Sequence, residues 1–226
     1  MAFPDFYEQV PSLTLRDPLA DMLGASTGGT LEYRYADAVR LAGHSCPTVA
    51  GAWLMASHAL PALYPDSPHD GREDAGDPLS CLPKRGNFRV ELRATQDAGT
   101  AGVVASVLGL ITGAAGEGGF KGIAGRQVRR GLLEFGVAID ADVRITRIDT
   151  GAAVLLDYNP DVVPPSPEMP ALMARVVGGA ADEGERAQFA GLWQDRVRRI
   201  LLQHTADPAL LSVRVSHPDH DGLRGE

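Results

Sequence analysis

The stretch 88–111 constrains the fold most. Phe88, Val90, Leu92 and Ala94 alternate with Arg89, Glu91 and Arg93, the period of two expected of a strand buried on one face. Residues 100–111 then run apolar with helical spacing, so a strand feeds directly into a buried helix. A weaker alternation at Leu31, Tyr33 and Tyr35 predicts an earlier strand, after a loop-like start holding Pro4, Pro11 and Pro18. Asp17 is placed to cap a short helix over 18–23, with Pro18 at its first position, where a missing N–H costs nothing. The segment 46–63 opens with Pro47 and reads as a buried helix that Pro61 bends or ends.

The β-rich runs 132–139, 143–148 and 153–156 read as a meander. Past Pro160, Pro164, Pro165 and Pro167 the pattern turns helical, over 169–177 and again from Asp182, which has capping-box spacing to Glu185. Val213 and Val215 suit an edge strand, and the rest from His217 reads as a frayed tail. These runs predict an α+β fold, with a mixed or antiparallel sheet packed against helices. Residues 1–160 form its main domain, and 161–226 form a helical extension on the same core.

Charge and composition exclude several partners. The chain of 226 residues carries 29 acidic against 21 basic side chains, a formal charge of −8 that repels phosphate backbones, so no nucleic-acid partner is expected. The run 103–115 is broken by Ser106, Gly109, Thr112 and Gly113 and falls short of the roughly 20 residues that cross a bilayer. Residues 1–10 hold Asp5 and Glu8 and no basic residue, unlike a secretory signal, which places the protein in the cytoplasm with no membrane partner. The five acids Asp66, Asp70, Glu73, Asp74 and Asp77 mark a solvated loop.

Chemistry concentrates at Gly43-His44-Ser45-Cys46-Pro47, between a predicted strand and a predicted helix. A sulfur at a helix amino terminus faces unpaired N–H groups and the positive end of the dipole, which favour thiolate, the form that is both nucleophile and metal ligand. His44 offers an imidazole two residues away, and an N plus S pair suits zinc or another borderline metal. The same residues also fit a metal-free Cys–His catalytic pair, or a hydrogen-bonded His beside a core Cys in a tight turn.

The strand, Ala42-Gly43-His44-Ser45-Cys46-Pro47 and the apolar helix with Gly51 together resemble the FmdE-like family, named for a component of the formylmethanofuran dehydrogenase complex. That family's signature is similar to His-Gly-His-x-Cys-Pro-Gly at a helix start. The likeness continues through 90–122, where Thr112-Gly113 and Gly119-Phe120-Lys121-Gly122 match a Thr-Gly and a glycine- and lysine-containing loop. About half the chain is covered. The resemblance implies an α+β domain that pairs as a homodimer, with His44 and Cys46 as metal ligands, zinc being the first choice of ion. Ala42 replaces the first His of the signature and Thr48 its last Gly. Asp97-Ala98-Gly99-Thr100 stands where the family often has a Cys, and the carboxyl-terminal zinc ribbon of many members is missing.

A zinc site needs three protein ligands when open and four when closed. Cys81 and Asp97 are the candidates to complete it, Asp97 being equally placed as a helix cap. His58, twelve residues beyond Cys46, is turned roughly 120° from it around a helix and reads as a core-edge residue. The Gly113–Lys121 region lacks the G-K-[ST] of a phosphate loop. Gly119 N–H and Lys121, with Arg126, Arg129 and Arg130 near, remain candidates for an anionic group of a substrate, against the plainer reading of a solvated basic turn. His217 and His220 read as tail residues. Three functions remain open: a metal-binding protein, a thiol enzyme using Cys46 with His44, and a non-enzymatic carrier for a metal or metal cofactor.

Overall fold

A computed structural model describes residues 3–65, 79 and 81–216. The acidic run 66–78 and the tail histidines His217 and His220 lie outside the described residues. In chain order the elements are β1 (Leu13–Arg16), α1 (Pro18–Met22), β2 (Thr30–Tyr33), α2 (Tyr35–Ala42), α3 (Pro47–Leu63), β3 (Phe88–Leu92), α4 (Ala101–Thr112), β4 (Leu133–Phe135), β5 (Val143–Arg147), β6 (Ala153–Tyr158), α5 (Met169–Val177), α6 (Glu183–Leu202) and β7 (Leu211–Ser216). β1 and β2 form an antiparallel pair, and the other strands form one sheet in the order β4-β3-β5-β6-β7. Only the β3–β4 pairing is parallel, so the sheet is mixed and the fold is α+β.

The strand–helix unit read from 88–111 is the centre of this arrangement. Phe88, Val90 and Leu92 are buried and Arg89 is exposed, as alternation requires. Glu91 breaks the pattern by being buried. Its cross-strand neighbour Arg144 donates from Nε and Nη2 to its two carboxylate oxygens, both at 2.6 Å, which compensates a charge that burial alone would not tolerate. α4 follows and returns the chain to β4, which lies parallel to β3, so the pair is a βαβ crossover rather than part of a meander.

α3 is the helix around which the rest packs. Residues from Val49 to Ala56 are buried without a break, because α4, α6, α2 and the β6–β7 part of the sheet cover it on every side. Pro61 does not end it. The helix runs on to Leu63, since a proline in the last turn forfeits a single i→i−4 hydrogen bond, and Tyr64 N–H closes the end on Leu60 O at 3.0 Å. Val197, Ile200, Leu201, Leu210 and Leu211 join the same hydrophobic cluster as α3 and β3, so the segment after residue 160 shares one core with what precedes it.

Two expectations near the amino terminus are corrected. The supposed strand through Tyr35 ends at Tyr33, and Tyr35 opens α2, because Asp37 accepts the Arg34 N–H at 2.8 Å and fixes a helix start there. The loop-like start contains β1, whose four residues fit between Pro11 and Pro18 and pair with β2 from Leu13↔Tyr33 to Arg16↔Thr30. Among the described residues no helix is long and apolar enough to cross a membrane.

Candidate functional site

The turn between α2 and α3 is built from backbone constraints. Gly43 ends α2 in the left-handed conformation (φ +74°) and its N–H reaches Val39 O at 2.8 Å, a position glycine fills without steric cost. Cys46 is then the N-cap of α3, with extended backbone, and Pro47 occupies the first helical position. Its Sγ accepts the Val49 N–H at 3.5 Å, so the sulfur takes the place that a serine oxygen holds in an ordinary cap.

Two side chains from distant parts of the chain, and Tyr35 from the start of α2, hold this turn. Trp193 on α6 donates its indole N–H to Ser45 O at 2.8 Å. Tyr158, at the end of β6, donates its hydroxyl to Pro47 O at 2.7 Å, and the Tyr35 and Ser45 hydroxyls lie 2.9 Å apart. Burial pushes both phenols well above the ordinary tyrosine value, so they stay protonated and able to donate. Gly51, one turn into α3, admits the Tyr158 ring: a Cβ there would lie 2.3 Å from Cε1.

His44 and Cys46 face different surroundings. Cys46 is half-buried and packs against the core. His44 is exposed and borders a shallow cleft with Phe189, Ala190, Trp193 and Gln194 of α6. Its Nδ1 lies 2.9 Å from Ala42 O, and since a carbonyl only accepts, the contact selects the neutral tautomer with the proton on Nδ1 and the lone pair on Nε2. A second cleft of about 440 Å³ lies beyond Cys46, at the carboxyl end of β3 and the amino end of α4. Thr48, Met55, Leu92, Thr100, Val104 and Tyr158 contribute to its walls, and the Arg93–Asp142 pair borders it.

The other candidates are not gathered here. Among the described residues no group of three or more His, Cys, Asp or Glu side chains comes together to hold an ion, so Cys81 and Asp97 do not complete a set with His44 and Cys46. Asp97 sits in the exposed loop before α4, where the Thr95 hydroxyl and its own backbone N–H hold its carboxyl below the usual range. It does not cap α4, whose N-cap is Thr100. Cys81 is half-buried, three residues before the Lys84 bridge to Arg16. His58 is half-buried beside Trp53 and Leu201, at the edge of the core.

The glycine-rich segment is a closed, internally bonded turn. Gly119 N–H already reaches Gly116 O at 2.9 Å, and a Cβ on Gly119 would lie 2.8 Å from Arg130 Cα, so this glycine serves close packing. Lys121, Arg126 and Arg130 are exposed. Arg129 is not part of a solvated turn: it is only 5 % exposed and ion-paired to Asp17. The signal for this partnership is spread over 112 residues of sequence, and no spacing rule links its two ends. No protein-family model matches the sequence, and no curated protein is significantly similar to it.

Proposed function

We propose that this chain binds one transition-metal ion, zinc by its donor chemistry, at the amino end of α3, as the FmdE-like resemblance implies. Nε2 of His44 and Sγ of Cys46 are the donors. The observation that carries the reading is the state of His44. Its Nδ1–H is spent on a backbone carbonyl, the outer-shell arrangement that orients a ligating imidazole and leaves Nε2 free. The sulfur two residues on lies at the start of α3, where it accepts the Val49 N–H. Two residues of chain separate their α-carbons by at most about 7 Å, a span that two side chains with metal bonds of about 2.0–2.3 Å bridge.

Two donors fill half of a tetrahedral shell, one protein ligand short of an open zinc site, so the reading requires a third donor beyond those gathered among the described residues, with the fourth position for water or a substrate atom. When bound, such an ion polarises a carbonyl or lowers the pKa of a water. The chain's own part is to present the donors on a turn that Trp193, Tyr158 and Tyr35 hold in place. The resemblance carries a homodimer as a further proposal; a cytoplasmic location rests on the composition of residues 1–10, and a place as accessory or carrier is the alternative where no reaction is catalysed. Light scattering on the purified protein decides the oligomeric state.

Plasma mass spectrometry of protein equilibrated with zinc and desalted tests the site, beside Cys46→Ser and His44→Ala. About one equivalent is expected in the native chain, lost in the first variant and reduced in the second. No metal in the native chain, or equal metal in all three, overturns it. The Val49 N–H on Sγ equally suits a thiol nucleophile, and alkylation separates the two readings. Protection of Cys46 by zinc, reversed by chelator, supports the metal. Rapid stoichiometric labelling that neither zinc nor chelator alters assigns Cys46 to thiol chemistry.

A further inference from the structure

A second place in the molecule asks for a partner that the described residues do not supply. Asp17, buried at the N-cap of α1, accepts Arg85 Nη1 at 2.8 Å, Arg129 Nη2 at 2.7 Å and the Leu19 and Ala20 N–H groups at 2.9 and 3.3 Å. Oδ1 takes three of these four bonds and Oδ2 the one from Arg85. Arg85 is satisfied, since its Nε and Nη2 donate to Leu110 O in the last turn of α4 at 3.3 and 3.2 Å. Arg129 is not: its Nε and Nη1 are buried and neither has a hydrogen-bond partner among the described residues.

The backbone around the guanidinium is shaped to admit it. Its Nη1 would lie 2.0 Å from a Cβ on Gly86 and 2.5 Å from one on Gly113, so only glycine at both positions lets it occupy this place. Both glycines have positive φ, +86° and +76°. Among the three charged groups, two guanidiniums face one carboxylate, so the described residues leave one positive charge uncompensated in a site where Arg129 is 5 % exposed. The Tyr33 phenol lies within electrostatic reach of all three. A buried cation with idle donors is costly unless an anion meets it.

We propose that Arg129, with Arg85 and Tyr33 beside it, is a binding site for an oxyanion carrying one negative charge, a carboxylate or phosphate group of a small ligand. The site lies before the amino end of β3 and past the carboxyl end of α4, whereas the cleft near Cys46 lies at the other ends of those elements. The inference is independent of the metal reading, because it uses none of the same residues and its test contains no metal.

Inorganic phosphate and acetate, each at constant ionic strength set with chloride, are the probes, read by thermal unfolding of the full chain. A saturable rise in Tm with one of them is expected, and the responding arm names the anion class. Arg129→Gln should weaken that binding by about tenfold or more, the loss of a charge-assisted hydrogen bond, while Arg126→Gln, an exposed neighbour, leaves it unchanged. Should Arg129→Gln fail to fold, the ¹⁵N-labelled native protein gives the same information. A saturable shift of one buried arginine Nε–H signal on titration is then expected. No saturable response to either anion overturns the proposal. An equal response in Arg129→Gln, or one lost in Arg126→Gln, overturns it as well and shows an adventitious ion only.

Discussion

Replacing Gly51 by alanine tests the packing that supports the Cys46 turn, and the sign of the result carries the test. Gly51 has ordinary helical geometry in α3, so by propensity alone alanine should stabilise the protein by about 1 kcal/mol. The structure predicts the opposite. The added Cβ would fall 2.3, 2.4 and 2.7 Å from Cε1, Cζ and Cδ1 of Tyr158, in the face of a ring wedged between β6 and the helix. Overpacking of this kind costs about 1–3 kcal/mol. Displacing the ring also breaks its hydrogen bond to Pro47 O, worth about 0.5–1.5 kcal/mol. After the propensity gain is set against these, a net loss of about 0.5–3.5 kcal/mol remains, or a fall in Tm of about 1–14 °C for a chain of this size. Thermal and urea unfolding measure it. In a Tyr158→Leu background, where the ring is gone, Gly51→Ala should turn neutral or stabilising, a coupling that a double-mutant cycle reads directly. Stabilisation by Gly51→Ala in the native background would refute the account of how Tyr158 seats on α3.

Other outcomes follow from the ion pairs and caps. Burial raises the Asp17 carboxyl, but the Arg85 hydrogen bond, the Arg129 charge and the Leu19 N–H outweigh it and leave the group below its ordinary value. Its contribution to stability is therefore complete above the unfolded value of about 3.9 and is lost as pH falls through that value toward the folded one. Urea midpoints measured from about pH 5 down to pH 3 should fall less steeply in Asp17→Asn, and an unchanged acid slope would count against the assignment. Glu91→Gln leaves Arg144 without its carboxylate and should cost about 2–4 kcal/mol by urea unfolding. Trp193→Phe removes the indole donor to Ser45 O; a loss of about 1 kcal/mol and faster alkylation of Cys46 are expected, and an unchanged labelling rate would show that α6 does not hold the turn. Asp182→Ala opens the capping box at the start of α6 and should cost about 1 kcal/mol by thermal unfolding.

Local chemistry was the part of this molecule most open to reading from sequence. The alternation at 88–92, the capping pair Asp182 and Glu185, the helix over 169–177 and the cap at Asp17 are all decided by residues within a few positions of each other, and the structure has them. Tyr35 misled because its place in an alternating run outweighed Asp37, whose capping bond starts a helix one residue after Arg34. β1 was hidden because four residues between prolines carry too short a pattern. Asp17 shows the limit most clearly. Its cap is local and legible, while its ion pairs reach 68 and 112 residues away, where Arg85 and Arg129 look like any other surface arginines. For the candidate site, the placement of Cys46 at a helix start was legible. The opposite surroundings of Cys46 and His44 depend on α6, which arrives almost 150 residues later.

The position of β7 bears on how the chain assembles during synthesis. β6 pairs with β5 on one side and with β7 on the other, from Ala153↔Ser216 to Tyr158↔Leu211. Until residues 211–216 have been made, β6 presents an open row of backbone donors and acceptors, and until α6 is complete at Leu202 α3 lacks its cover as well. The nascent chain therefore carries an unfinished sheet edge through the time needed to add some fifty residues, several seconds at about 5–20 residues per second. Interruption anywhere in that interval yields a product whose sheet edge is open to pairing with another molecule, and interruption before α6 leaves the central helix uncovered too.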